Sequence, residues 1–319
     1  MGKRKIAFLF PGQGSQYVGM GKELSEQYPT ARKVFELGDN VLGSQLSTLC
    51  FNGPEDDLKL TANTQPAILL TSAAILKVAE EQGIKPDFVA GHSLGEYTAL
   101  VAAGSLTISD AVWLVRQRGL LMQGAVPPGQ GTMAAIIGLN TEKVQEICAE
   151  AMQVGVVEPA NYNCPGQIVL AGQTSAIHRA MELAKAQGAR SAVLLAVSGP
   201  FHSSLLQKVS SQLANVLERV IISQAWVPVV ANYTAELETH SAEIKENLIK
   251  QVSAPVLWQQ SIERLLAEGV TTFIEIGPQK VLSSLVKRID KNIEMFNIED
   301  RDSLEKTISF FREVQENVG

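Results

Sequence analysis

Cysteine is scarce in this 319-residue chain: Cys50, Cys148 and Cys164 are the only three. An odd count at wide spacing gives neither a disulfide framework nor a zinc site, so no metal site is expected, and a reducing cytoplasm fits. Basic residues are also outnumbered, 27 Lys and Arg against 33 Asp and Glu, for a formal net charge of −6. Phosphate binding needs a basic surface, so nucleic acid is not expected as a partner, although a local basic patch could still receive an acidic protein. No apolar run reaches membrane-spanning length. The opening Met1-Gly2-Lys3-Arg4-Lys5 has the charge of a signal peptide, but the apolar run at 6–10 is too short and no small-residue cleavage site follows. Ile6 stands where a myristoylation signal needs Ser or Thr. A soluble protein is expected. Low-complexity runs and Pro/Ser-rich linkers are missing too, and with 45% apolar and 19% charged residues the whole chain should fold.

What is present is an alternation. Strand-like runs at 6–10, 88–90 and 272–276 alternate with helical patterns at 66–81, 111–122, 244–252 and 261–267. That order marks a parallel α/β sheet with helices on its faces. These strands end at Pro11-Gly12, Gly91 and Gly277-Pro278, and in such sheets ligands bind at the carboxyl ends of the strands. The middle of the chain changes rhythm: strand 132–138, helix 142–152, strands 156–160 and 167–172, helix 176–186, strand 191–197. The order βαββαβ is that of a ferredoxin-like module, and Pro127-Pro128-Gly129 and Ser198-Gly199-Pro200 are suitable hinges. The expected fold is therefore α/β: an α/β-hydrolase-like large domain with a parallel-sheet core from 1–127 and 198–319, and an inserted ferredoxin-like small domain at 128–197, with a cleft between them.

Gly91-His92-Ser93-Leu94-Gly95 matches the G-x-S-x-G nucleophile elbow, with a strand at 87–90 before it and a helix at 94–103 after it. The glycines allow a sharp strand-to-helix turn in which a Cβ would clash. The turn places Ser93 at a helix N-terminus, where the Leu94 N–H can stabilise an oxyanion. A serine nucleophile needs a base, usually histidine. Of four histidines, His92 should diverge from Ser93 on the tight turn as a packing residue, His178 faces solvent on a helix, and His240 lies in an acidic stretch, 236–243, that reads as an exposed loop. His202 remains, just after the second hinge and before a helix at 205–220. No acid in a comparable setting completes a Ser-Asp-His triad.

The turn Pro11-Gly12-Gln13-Gly14 looks like a dinucleotide fingerprint but has Tyr17 in place of the third glycine, and no P-loop Lys-Ser/Thr pair occurs. It reads either as a plain turn or as one that brings the Gln13 N–H to the oxyanion as second donor. Arg116 and Arg118 point to different faces of a largely apolar helix, so at least one should be partly buried. A buried arginine fork there either grips a dicarboxylic acyl group or forms a structural ion pair.

Taken together and in order, Pro11-Gly12-Gln13-Gly14-Ser15-Gln16, Thr64-Gln65-Pro66-Ala67, Gly91-His92-Ser93-Leu94-Gly95-Glu96-Tyr97, Arg116-Gln117-Arg118-Gly119, Gly199-Pro200-Phe201-His202 and Gln251-Val252-Ser253-Ala254-Pro255-Val256 resemble the malonyl-CoA:acyl carrier protein transacylases of bacterial fatty-acid synthesis. The likeness runs from the first strand to about Arg288. It implies Ser93 as acylated nucleophile, His202 as base and the Gln251 main-chain carbonyl as the group that orients the histidine. It further implies oxyanion donors at Gln13 and Leu94, Arg118 rather than Arg116 on the malonyl carboxylate, Gln65 lining the pocket, and Phe201 crowding out an α-methyl branch. The segment Asn161-Tyr162-Asn163-Cys164 departs from members with serine at Cys164, without catalytic consequence. Malonyl-CoA would be a substrate, with no resident cofactor. The partner would be an acyl carrier protein docking on Arg190, Lys280, Lys287 and Arg288, and one site per chain makes a monomer adequate. A discrete acyltransferase of polyketide synthesis, a serine hydrolase or thioesterase, and a non-catalytic scaffold subunit are the competing readings.

Overall fold

The computed structural model of the protein describes residues 4–197 and 199–316. Ten strands occur among them in chain order: β1 (Lys5–Phe10), β2 (Phe88–Gly91), β3 (Gly131–Ile137), β4 (Val157–Cys164), β5 (Gln167–Gln173), β6 (Ser191–Leu194), β7 (Val229–Val230), β8 (Leu237–Glu238), β9 (Val270–Ile276) and β10 (Glu294–Ile298). They form a six-stranded sheet in the order β10-β9-β1-β2-β7-β8 and a four-stranded sheet in the order β4-β5-β3-β6. The six-stranded sheet is parallel apart from the β7–β8 edge pair.

β1 explains why the large sheet reads as an unbroken apolar run. Phe8 and Phe10 project into a core shared with the helix Thr61–Glu81, while Ala7 and Leu9 project to the other face, onto Trp258, Ile262 and Val286. Both faces are covered, as parallel sheets require. The pairing of Phe10 with Gly91 brings β1 and β2 to an end side by side, and the register of Ala90 with Val230 adds the end of β7. Three turns, at 11–13, 92–94 and 231–232, therefore meet at one edge of the sheet.

The helix Thr61–Glu81 begins five residues before the point at which Pro66 suggests a start. A proline inside a helix leaves the carbonyl four residues earlier without its donor. Here that carbonyl belongs to Ala62, and Arg116 Nη1 donates to it at 2.7 Å. Arg116 is thus a structural partner of the proline-bearing helix.

The four-stranded sheet is antiparallel throughout and, with the helices Thr141–Ala151 and Thr174–Ala186, follows the ferredoxin-like order. It has its own core around Ile136, Val144, Ile147, Leu170 and Ile177. Two strand ends differ from the expectation for physical reasons. β6 ends at Leu194; Leu195 N still donates to Met133 O at 2.9 Å, and Leu195 and Val197 pack on the core cluster that the large domain shares with Met133 and Val169. β4 runs on to Cys164 because its second half keeps pairing with β5, Asn161 with Val169 and Cys164 with Gln167, while its other edge meets the large domain: Tyr162 N donates to Val256 O at 2.9 Å and Val256 N to Ala160 O at 2.8 Å. Of the second hinge, Ser198 lies outside the described residues. Among the described residues no helix is long and apolar enough to cross a membrane, and no three His, Cys, Asp or Glu side chains are grouped to hold a metal ion.

Candidate active site

The elbow is as tight as its glycines suggest. A Cβ on Gly91 would lie 1.9 Å from the Gly95 carbonyl carbon, and one on Gly95 would lie 2.0 Å from Phe10 O. Ser93 is held at φ 52°, a left-handed conformation that non-glycine residues rarely adopt and that is characteristic of functional turns. The helix Gly95–Ala102 follows at once, so the Leu94 N–H stands at its N-terminus.

Ser93 Oγ lies 2.6 Å from His202 Nε2, and His202 Nδ1 lies 2.8 Å from the main-chain oxygen of Gln251. A carbonyl only accepts, so Nδ1 carries the proton and Nε2 is left to accept from the serine. Gln251 ends the helix Ser241–Gln251, and terminal helix carbonyls lack intrahelical donors and carry the negative end of the dipole. This carbonyl occupies the place a carboxylate would take in a triad. His202 is also in the left-handed region, at φ 60°. Burial first, and then Arg118, hold its pKa down to about 3, so the imidazole is neutral at physiological pH.

Arg118 is 1% exposed. Its Nη1 donates to Gln65 Oε1 at 2.7 Å, and its Nη2 donates to Gln251 Oε1 at 2.9 Å and to Ser93 Oγ at 3.2 Å. Its guanidinium carbon sits 5.4 Å from the centre of the Tyr97 ring. Burial lowers its pKa, yet it makes no ion pair among the described residues. A buried cation with no carboxylate partner among the described side chains, beside a serine hydroxyl, is suited to receive an anion.

A cavity over Ser93 is lined from the large domain by Gln13, Gln65, Leu94, Arg118 and Phe201, and from the small domain by Met133 and Asn161. The Gln13 and Leu94 N–H groups donate to no main-chain acceptor among the described residues. His92 turns away from Ser93: its Nε2 is 2.9 Å from Asn163 Oδ1, and its ring centre is 5.5 Å from that of Trp258. His178 and His240 are exposed. The stretch at 236–243 is not simply an exposed loop, since Glu238 lies buried on β8 and accepts from Asn247 Nδ2 at 2.7 Å. Cys164 is buried among Val256 and Trp258 and does not line the cavity.

The basic residues Arg190, Lys280, Lys287 and Arg288 are all exposed and lie outside the cavity. Arg288 reaches from the helix Val281–Ile289 to Gln167 and Pro165 in the β4–β5 turn, next to Gly166, whose carbonyl accepts from Gly138 N at 2.8 Å. Arg190 backs onto Gly138. Lys287 is bonded to Lys291 O at 3.2 Å, and Lys280 lies 3.9 Å from Glu299.

Two residues without a role in the sequence reading complete the site. Asn232, just past β7, accepts from Ser93 N at 2.6 Å and donates through Nδ2 to Gly91 O at 2.7 Å, clamping both sides of the elbow. Glu96, buried in the first turn after the elbow, accepts from Asn232 N at 3.1 Å and Gln251 Nε2 at 2.8 Å. The polar Asn232 ending the apolar run at 227–231 was the available signal for the first.

The family model for the acyl transferase domain matches residues 7–305. The malonyl CoA-acyl carrier protein transacylase of Bacillus subtilis is 50% identical over 314 residues, which is 98% of this chain and 99% of that protein. The crystal structure of malonyl CoA-acyl carrier protein transacylase from Clostridium perfringens superposes with a TM-score of 0.95 at 44% identity, covering 98% of this chain and 99% of that one. A chain from a type II PKS acyl-carrier protein in complex with its malonyl-transacylase superposes with a TM-score of 0.94 at 42% identity, over 96% of this chain and 99% of its own.

Proposed function

This chain belongs to the acyl transferase domain family, among the malonyl CoA-acyl carrier protein transacylases, and on that footing we propose that it moves a malonyl group from coenzyme A to the phosphopantetheine thiol of an acyl carrier protein through a malonyl-Ser93 ester. The observation that carries the choice of acyl group is the buried Arg118 guanidinium 3.2 Å from Ser93 Oγ. An arginine fork holds a carboxylate through two charge-assisted hydrogen bonds, and an acetyl group has nothing to offer it.

In the first half-reaction His202 Nε2 takes the Ser93 hydroxyl proton as Oγ attacks the thioester carbonyl. The Gln13 and Leu94 N–H groups receive the oxyanion. The tetrahedral intermediate collapses by breaking the C–S bond, and His202 returns the proton to the coenzyme A thiolate. In the second half-reaction His202 deprotonates the carrier thiol, which attacks the ester carbonyl; the intermediate collapses by breaking the C–Oγ bond, and His202 returns the proton to Ser93 Oγ. A carboxylate fixed on Arg118 holds the ester for the thiol and away from productive attack by water, which separates a transacylase from a hydrolase sharing the elbow. Coenzyme A passes through as substrate, and no resident cofactor takes part. Phe201, beside the acyl site, disfavours an α-methyl branch.

The carrier meets the exposed run made by Arg190, Arg288 and Lys280, with Lys287 tied mainly to its own helix end. The enzyme acts as a cytoplasmic monomer, in fatty-acid synthesis. The neighbour from a type II PKS complex supports a second reading, in which the carrier belongs to polyketide synthesis. Intact mass after mixing with malonyl-CoA should show a malonyl adduct that persists until carrier is added. An adduct that survives in Ser93→Ala, or none in the native protein, rejects the mechanism, and transfer to purified carriers of both pathways decides between them.

A further inference from the structure

Glu96 takes no part in the steps above, yet it is a fully buried acidic residue three positions after the nucleophile. A buried carboxylate is costly where an apolar side chain would fill the same space, so its placement calls for a reason. Its Oε2 receives both the Asn232 N–H, at 3.1 Å, and Gln251 Nε2, at 2.8 Å. The same Nε2 donates to Ser93 O at 2.9 Å, while Gln251 Oε1 accepts from Arg118 Nη2 at 2.9 Å.

A primary amide has a donor end and an acceptor end, and its neighbours decide which way it points. The Ser93 carbonyl can only accept, and Glu96 Oε2 also receives the Asn232 N–H, so both draw the NH₂ end, and the oxygen turns to Arg118. Reversed, the amide would set its NH₂ against the guanidinium and its oxygen against a carboxylate and a carbonyl. The amide therefore links the Glu96 carboxyl, whose pKa burial raises to about 7, to the Arg118 cation, with its oxygen end on the guanidinium. On Arg118, Gln65 holds one hydrogen of Nη1, while Nη2 gives one hydrogen to Gln251 and the other to Ser93 Oγ at 3.2 Å, the longest of the three contacts. A malonyl carboxylate that takes the second Nη1 hydrogen and displaces the long Ser93 contact on Nη2 completes a two-bond fork.

Resting on the reading of Arg118 as the malonyl grip, we propose that Glu96 is a positioning residue for acyl-group selection, which sets the Gln251 amide and through it the Arg118 fork. A purely structural role would lower transfer of every acyl group alike, whereas this role shows in the ratio between acyl groups. The test measures kcat/KM of the full chain with malonyl-CoA and with acetyl-CoA, carrier present. Glu96→Leu removes two hydrogen bonds, from Asn232 N and from Gln251 Nε2, and through the loss of the second should lower the malonyl-to-acetyl ratio about tenfold or more, with acetyl transfer changed less than about threefold. Glu96→Gln, whose carbonyl can accept both bonds, should keep the ratio near that of the native protein. Gln251→Leu should lower the ratio as Glu96→Leu does, and the double variant should lower it no further than Gln251→Leu alone. An unchanged ratio in Glu96→Leu, equal losses for both acyl groups, or additive losses in the double variant overturn the proposal. Should Glu96→Leu not fold, a native ratio in Gln251→Leu overturns it by itself. The premise fails separately: it is wrong if Arg118→Ala keeps the native ratio, and right if that ratio collapses while Glu96→Leu keeps it.

Discussion

Replacing Arg118 with alanine takes the guanidinium out of the acyl site and leaves the rest of the cavity in place. A malonyl carboxylate must then enter a buried pocket with no cation to meet it. Breaking a buried charge pair by removing one partner costs about 3–5 kcal/mol. At about 1.4 kcal/mol per factor of ten, kcat/KM with malonyl-CoA should fall by roughly two to four orders of magnitude. An acetyl group presents a methyl there and loses no such contact. The Gln65 and Gln251 oxygens, 2.7 Å and 2.9 Å from the guanidinium nitrogens, lose their donor whichever substrate is bound, so the ratio of the two substrates carries the test. The pH dependence should move as well. After burial, Arg118 is the larger of the forces holding the His202 pKa at about 3, and without that cation the value rises. The imidazole is a base only when neutral, above its pKa, so activity lost on acidification should be lost at higher pH in Arg118→Ala. Steady-state acetyl transfer to carrier across the acidic to neutral range measures this limb. An unchanged malonyl-to-acetyl ratio, or an acid limb displaced to lower pH, refutes the reasoning.

Phe201→Ala should open the cavity beside the acyl site. One methyl contact is worth about 1–3 kcal/mol, so the methylmalonyl-to-malonyl ratio in competitive transfer should rise about 10-fold to 200-fold, and a constant ratio removes Phe201 as the discriminating contact. Cys164→Ser should transfer malonyl at a nearly native rate, because the thiol lies outside the cavity and burial raises its pKa. The hydroxyl enters an apolar cluster with Val256 and Trp258, so a stability loss of about 1–3 kcal/mol should appear in denaturant titration, and a collapse in rate with intact stability contradicts the assignment.

How much of the molecule could be read in advance follows from how local each cause is. The elbow was legible because its constraint lies within five residues: Gly91 and Gly95 are glycines because the backbones there approach within the space of a Cβ. The inserted domain was legible because its strands alternate with helices in a different order from the large domain. Its strand ends were less so, since the second half of β4 is bonded both to β5 and to Val256, and Leu195 and Val197 after β6 pack on the core shared with the large domain, contacts that include partners distant in sequence. The start of the helix at Thr61 was hidden by Pro66, whose unsatisfied carbonyl partner is supplied by Arg116, 54 residues from Ala62. β7 and β8, two residues each, are too short for any periodicity, and Asn232 went unassigned with them.

The geometry behind the base illustrates a different kind of concealment. Among side chains no acid stood out to complete a triad, and the group that orients His202 is a main-chain carbonyl, which every residue type possesses. Its chemistry depends on where the helix Ser241–Gln251 stops, with the negative end of the helix aimed at Nδ1, and not on the glutamine. The glutamine side chain faces the other way and meets Glu96, the Ser93 carbonyl and Arg118. So the two halves of Gln251 serve different ends. Its backbone sets the tautomer of the base, a task leucine or alanine could perform if the helix ended at the same place. Its amide donates to Glu96 and the Ser93 carbonyl and accepts from Arg118, which needs a donor and an acceptor at fixed separation. On the proposal above, glutamine at this position would mark which acyl group Ser93 carries, whereas a main-chain carbonyl hydrogen-bonded to His202 leaves no mark in the residue type.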